Sequence, residues 1–170
     1  MKKLVGKLLS PEELKAKYPL NDEDINFIAK SRIELQNIIS GIDKRKILII
    51  GPCSADFEDS LYEYAKFLSE LSTKVEDKIK IVMRFYTGKP RTIGGWKGLQ
   101  NSLPGETPNL ITGIENSRRI AINIIKNYRL PLADELLHPQ LIEHIGDIIV
   151  ILLFELEAQK INIIEKWLLD

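Results

Sequence analysis

The chain has 170 residues, 44% hydrophobic and 28% charged, which suffices for one globular core of ordinary proportions. Its 24 basic residues balance 24 acidic ones, so no whole-molecule field favours nucleic acid or an anionic membrane, and any anion site must be local. The lone Cys53 excludes an intramolecular disulfide and makes a reducing, cytoplasmic setting the simplest expectation; no apolar run approaches the roughly 20 residues of a membrane helix, and Met1 to Gly6 is too short for a secretory signal.

Ser10-Pro11-Glu12-Glu13 predicts a helix start, with a hydroxyl N-cap, proline at the first helical position and a carboxylate three residues after the cap. A longer helix is expected from about Asp22, with Ile25, Ile28, Leu35 and Ile39 on one face and a stop at Gly41. Ile47 to Ile50, ended by Gly51-Pro52, suits a strand buried on both faces. Leu61, Tyr64, Ala65, Leu68 and Leu71 then give the stripe of a helix packed on a sheet, and a second strand follows at about Lys80 to Tyr86.

Between Thr87 and Leu110 lie five glycines and three prolines without sustained periodicity, a length of loop that is uncommon unless functional or disordered. Helical spacing resumes from Ile111 to Tyr128, a third strand is expected at Leu130 to Leu136, and His138-Pro139 opens a helix to about Ile145. This strand–helix order generates parallel sheet. It fits a doubly wound sheet or part of a (β/α)8 barrel, and three βα units plus the start of a fourth amount to about half of a barrel of roughly 250 residues.

Reactive groups in such folds sit at the carboxyl ends of strands. The first such edge presents Gly51-Pro52-Cys53-Ser54, although a lone cysteine is more often a small buried apolar residue than a ligand. From Lys78 to Gly105 there are six basic residues, Lys78, Lys80, Arg84, Lys89, Arg91 and Lys97, and no acidic one. That surplus, set among glycines, suits a small phosphorylated or carboxylated ligand, the competing explanation being a solvated basic loop. Tyr86 and Trp96 beside these cations would also suit a nucleic-acid backbone, which the neutral overall charge disfavours. At the third edge Asp134-Glu135 could polarise a substrate or a water, the simpler expectation being strand-end carboxylates facing solvent, and His138 and His144 read as helix-start and helix-surface residues without metal-ligand spacing to Cys53.

Gly51-Pro52-Cys53-Ser54, Arg84-Phe85-Tyr86, Lys89-Pro90-Arg91-Thr92, Trp96-Lys97-Gly98-Leu99 and Leu130-Pro131 to Ala133-Asp134-Glu135, in this order and spacing, resemble the class I 3-deoxy-7-phosphoheptulonate synthase family over about Ser10 to Ile149. The resemblance implies an α/β fold, an incomplete (β/α)8 TIM barrel of the first three to four βα units: residues 1–45 form an N-terminal helical extension, 46–149 the first half of the barrel, and 150–170 a tail unlike the family. It implies an aldol-type condensation of phosphoenolpyruvate with erythrose 4-phosphate, opening aromatic amino-acid biosynthesis. In the intact family this uses a divalent metal (Mn, Fe, Co or Zn), which polarises the aldehyde, on a usually homo-oligomeric enzyme. Carried over by position, Cys53 would be a metal ligand, Arg84 and Lys97 would face phosphoenolpyruvate as catalytic and substrate-binding groups, and Lys89, Pro90, Arg91 and Thr92 would hold erythrose 4-phosphate. The N-terminal helices match a region that can help bind an aromatic amino-acid effector. No nucleic-acid or membrane partner is implied.

From Val150 onward the family's Gly-Ala-Arg continuation is replaced, yet the codons that could encode Val150 to Asp170, taken from their third base, permit S-Y-T-A-I-x-A-R-S-S-E-N-Q-Y-H-R-E-V-A-S-G, which is family-like. A single-base deletion near the codons of Ile149 and Val150 accounts for this, with one misfit where Phe154 and Glu155 overlap in Arg or a stop instead of Gly; a genuine alternative terminus is the competing account. On the frameshift account the later barrel and its remaining metal ligands are missing, and these residues alone are expected to be inactive and prone to aggregate at their unpaired edges. Sequencing the gene is expected to reveal the displaced frame, and codons incompatible with it would end the idea.

Overall fold

The computed structural model describes residues 6–89, 94–135, 137–138 and 141–153. Two helices, α1 (Pro11–Lys17) and α2 (Asp22–Ile39), precede the alternating part: β1 (Lys46–Ile50), α3 (Glu58–Val75), β2 (Ile79–Arg84), α4 (Leu110–Tyr128), β3 (Leu132–Glu135), α5 (Ile142–Ile145) and β4 (Ile151–Leu153). The expected capping box opens α1: Ser10 N donates to Glu13 Oε2 at 2.7 Å and Glu13 N to Ser10 Oγ at 3.2 Å. Asn21 caps α2 and Asn109 caps α4, each side-chain carbonyl accepting from a backbone N–H of the first turn.

The four strands are all parallel and lie side by side in chain order, β1-β2-β3-β4. A doubly wound sheet reverses its strand order at a switch point; here each crossover advances in the same direction, the winding of an incomplete (β/α)8 barrel. Strand alternation divides the side chains between two faces. Ile81, Met83 and Leu132 join Leu61, Ala65 and Leu68 of α3 and Ile120 and Ile124 of α4 in the main core. On the other face Val82 and Ala133 meet Leu35 of α2, with Ile47, Ile49 and Ile151 packed around them. The helical prelude is therefore part of the sheet's packing. Arg32 of α2 reinforces this by donating through Nη2 to the carbonyls of Gly146, Asp147 and Ile149, just before β4.

Several expectations change once the packing is known. β1 is an edge strand with no fully buried residue, and Leu48 remains 37% exposed, because no further strand covers its far side among the described residues. On α2 the buried stripe is Asp24, Ile28, Ser31 and Leu35, while Ile25 and Ile39 stay about half exposed (49% and 53%). Asp24 is tolerated inside because Arg129, the left-handed C-cap of α4, donates to it at 2.9 Å. The helix expected from His138 is confined to α5, and β4 lies past the Ile149 boundary. His144 is buried, not on a helix surface: its Nε2 lies 3.0 Å from the Leu9 carbonyl, and its own carbonyl accepts from Arg118. Arg118, 1% exposed, also clasps Asp147 with both Nη atoms and donates from Nε to Tyr18 O, tying α4 to the α1–α2 connection and to the turn before β4.

Asp134 is likewise buried, contrary to the expectation of a solvent-facing carboxylate. Its Oδ1 accepts from the backbone N–H groups of Thr87 (3.0 Å) and Glu135 (2.8 Å), and its Oδ2 from Thr87 Oγ1 at 2.7 Å, so the ends of β2 and β3 are tied together. Loss of hydration nevertheless outweighs these donors and pushes its pKa up from 3.8 to about 6. A group whose pKa is raised by folding favours the folded state most when protonated. Its contribution is complete below about pH 3.8 and is lost as pH rises through about 6. Asp134→Asn, which keeps an acceptor for both N–H groups, is expected to remove a pH dependence of about 3 kcal/mol across that window, at roughly 1.4 kcal/mol per pKa unit. Urea unfolding of both proteins from pH 4 to 7 checks this; parallel stability profiles would refute it.

Candidate active-site edge

Because the strands are parallel, the segments after β1, β2 and β3 leave the sheet on one side. After β1 the backbone passes against β2 so closely that a Cβ on residue 51 would stand 2.5 Å from the Arg84 carbonyl oxygen, which requires Gly51. Arg84, the last residue of β2, turns its guanidinium back over this turn. Nε donates to Pro52 O at 2.8 Å and Nη2 to Gly51 O at 2.9 Å, while the group lies 5.2 Å from the Tyr86 ring centroid. Nη1 has no hydrogen-bond partner among the described residues, which leaves one edge of the fork for an anion.

The turn continues to Cys53, whose side chain is exposed; the buried, apolar alternative for this residue does not hold. Ser54 Oγ and Ala55 N both donate to Tyr86 O, so the Cys53 turn is fastened on its far side to the segment leaving β2. Cys53 thus lies between two anchored points, Pro52 on Arg84 and Ser54 on Tyr86. Among the described residues no group of three or more His, Cys, Asp or Glu could hold a metal ion. One sulfur falls short of the three or four protein ligands usual for a bound transition metal, so the residues described here do not fit a complete ion site.

The loop after β2 doubles back on itself. Lys89 N donates to Lys97 O at 2.9 Å and Gln100 N to Thr87 O at 3.0 Å, bringing the two lysines to the same point of the loop. Gly98 makes this possible, since its φ of 99° is left-handed and a Cβ there would lie 2.3 Å from Thr87 O. Trp96 braces the loop by donating from Nε1 to Ser102 O at 2.7 Å, and Lys89 Nζ lies 6.0 Å from its ring centroid. Lys97 is exposed, and neither Lys89 nor Lys97 has an ion-pair partner among the described residues.

The six-residue basic cluster separates in space. Lys78 lies near Asp77 at 3.7 Å in solvent, before β2 begins, and Lys80 is committed to Glu34 of α2, so neither serves this edge. Arg84, Lys89 and Lys97 remain; Pro90, Arg91 and Thr92 lie outside the described residues. Arg84 is fastened to Gly51 and Pro52, the residues just before Cys53, whereas Lys89 and Lys97 join this turn through the Tyr86–Thr87 segment. Sequence reasoning missed the Thr87–Asp134 tether beneath this edge. An aspartate within a strand, where that residue is depleted, was the available signal.

Known proteins resemble this chain in sequence and fold. Residues 22–154 match the DAHP synthetase I family. The chain is 38% identical over 143 residues to the Tyr-sensitive phospho-2-dehydro-3-deoxyheptonate aldolase of Escherichia coli, covering 83% of this chain and 40% of that protein. It is 35% identical over 141 residues to the phospho-2-dehydro-3-deoxyheptonate aldolase of Corynebacterium glutamicum, covering 82% of this chain and 38% of that protein. A solved phospho-2-dehydro-3-deoxyheptonate aldolase from Francisella tularensis superposes with a TM-score of 0.81 at 33% identity, covering 89% of this chain and 45% of that structure. The chain therefore spans less than half the length of these relatives. With its parallel strands in chain order and its matched segment running from α2 through β4, the chain belongs to the DAHP synthetase I family.

Proposed function

We propose that this edge is the phosphoenolpyruvate and erythrose 4-phosphate end of a 3-deoxy-7-phosphoheptulonate synthase, present here without the rest of its barrel. The observation that carries the reading is the Arg84 guanidinium, held by the Gly51 and Pro52 carbonyls beside exposed Cys53, with the Lys89–Lys97 loop on the same side of the sheet. Family membership supports it. In this reading Arg84, already fixed by two hydrogen bonds, offers Nη1 to the carboxylate or phosphate of phosphoenolpyruvate, and little side-chain entropy remains to be lost. Lys97 supplies a second, point-like charge to phosphoenolpyruvate, and Lys89 with Pro90, Arg91 and Thr92 accommodates erythrose 4-phosphate. Both substrates are anionic, so offsetting their mutual repulsion is a prerequisite for carbon–carbon bond formation. Cys53 would contribute one ligand to a divalent metal whose other ligands are not among the described residues. The frameshift account of residues 150–170 belongs to the same proposal.

A second reading, a non-catalytic fragment that pairs with an intact synthase subunit or binds an aromatic amino-acid effector, is favoured by the uncovered outer edges of β1 and β4 among the described residues. Leu48 and Phe67, near that β1 edge and on α3, are exposed at 37% and 59%. Co-purification with a full-length homologue, or a rise in melting temperature with an aromatic amino acid, would favour it.

With both substrates and Mn²⁺, the 170-residue chain is expected to give no turnover above buffer, and to gain activity when the second half of a family enzyme is supplied in trans. Turnover by the chain alone, comparable to an intact enzyme, would overturn the incomplete-site account. In the complemented enzyme, Lys97→Ala is expected to weaken phosphoenolpyruvate binding about tenfold, the worth of one charge-assisted hydrogen bond. Unchanged affinity would remove Lys97 from the site.

A further inference from the structure

Where β2 leaves the sheet, a side chain takes the place of one rung of the backbone ladder. Met83 N–H donates to Pro131 O at 2.8 Å and Phe85 N–H to Ala133 O at 2.7 Å, the two-residue step of a parallel pair. The next rung would run from Thr87 N–H to Glu135 O. That carbonyl accepts instead from Leu137 N–H at 3.0 Å, in the turn leaving β3, and Thr87 N–H goes to Asp134 Oδ1 at 3.0 Å. Thr87 Oγ1 donates to Asp134 Oδ2 at 2.7 Å, so one carboxylate grips Thr87 by its backbone and its side chain.

Both limbs of the cationic loop stand on Thr87. The outgoing limb runs from it through Gly88 to Lys89. The returning limb closes on it through Gln100, whose N–H donates to Thr87 O at 3.0 Å, and through Gly98, where a Cβ would collide with that same oxygen. Lys89 N–H meets Lys97 O between these points. The placement of Thr87 therefore sets the placement of both lysines.

A carboxylate is a costly choice for this post. Asp134 is buried, and loss of hydration pushes its pKa up to about 6, so its ionisation at neutral pH opposes folding. What the ionised group adds is an acceptor oxygen for each of the two Thr87 donors, which fixes that residue in direction as well as position. We propose that Asp134 is a positioning residue for anion recognition: through Thr87 it fixes the foot of the loop that presents Lys89 and Lys97 at the sheet edge carrying Arg84. Asp134 itself touches no substrate and acts only through Thr87. This role rests on the anion-binding reading of that edge.

Site-resolved amide hydrogen exchange of the 170-residue chain at pH 7 tests the tether without reference to substrate. Asp134→Ala is expected to speed exchange at Lys89 and Gln100 about tenfold while the β1–β2 ladder amides keep their rates, because only the foot of the loop is released. Asp134→Asn, which retains an acceptor for Thr87 N–H, is expected to keep most of the protection. Unchanged rates at Lys89 and Gln100, or equal acceleration at every amide, overturn the proposal. Thr87→Val, which removes the Oγ1 donor and leaves Asp134 in place, reads the same amides should Asp134→Ala fail to fold. Titration with phosphoenolpyruvate, followed by the amide shifts of the loop, then separates the tether from the anion site. Asp134→Ala is expected to weaken binding about tenfold and Asp134→Asn to restore it. Equal affinity of Asp134→Ala and the unaltered chain overturns the positioning role. No binding by the unaltered chain, with the exchange result standing, overturns the reading of the edge on which that role rests.

Discussion

The guanidinium of Arg84 holds two strand ends in one piece. By donating to the Gly51 and Pro52 carbonyls it satisfies backbone acceptors that the end of β1 leaves without a ladder partner, and it sets the turn carrying Cys53 against the end of β2. Gly51 is the complementary requirement, since any side chain there would collide with the Arg84 backbone. The same contact that closes the turn presents the remaining edge of the fork outward. On the proposed reading, structure and anion recognition would draw on one residue, and Lys could not substitute for it because an ammonium lacks the planar array of donors.

Around that contact, two further ties converge on Tyr86 and Thr87. Ser54 and Ala55 bind the Tyr86 carbonyl, while Thr87 donates twice to buried Asp134 at the end of β3. Three neighbouring strand ends are consequently joined through side chains and backbone beyond the point where the ladder stops. A loop rooted on such a base can carry exposed lysines with little motion at its foot, and Gln100 extends the base toward α4 and α5. This is the arrangement P-rich, G-rich loops need when they must be long yet hold a charge in register.

The opposite face depends on the helical prelude. α2 meets the sheet through Leu35, pairs Glu34 with Lys80, and crosses to the start of β4 through Arg32. Four strands wound in one direction cannot close by themselves, and their two outer edges are uncovered among the described residues. The prelude covers part of that face, and large hydrophobic side chains elsewhere, Ile33 on α2, Ile42 after it and Phe67 on α3, remain exposed.

The sequence by itself determined the order of elements, the capping box that opens α1, the position of the long loop after β2 and the family, because these rest on local spacing, turn chemistry and short motifs that act over a few residues. Periodicity tells which side chains share a face. It does not tell whether anything covers that face, and so Ile25 and Ile39 proved exposed and β1 proved an edge. The standing of each candidate residue was decided only in the tertiary structure. Cys53 is exposed, Asp134 is buried on Thr87, His144 is buried on Leu9, and Lys80 is withdrawn to Glu34. Each outcome hinges on a partner far away along the chain, and the energy of a charge or a polar atom is set by what lies beside it in space.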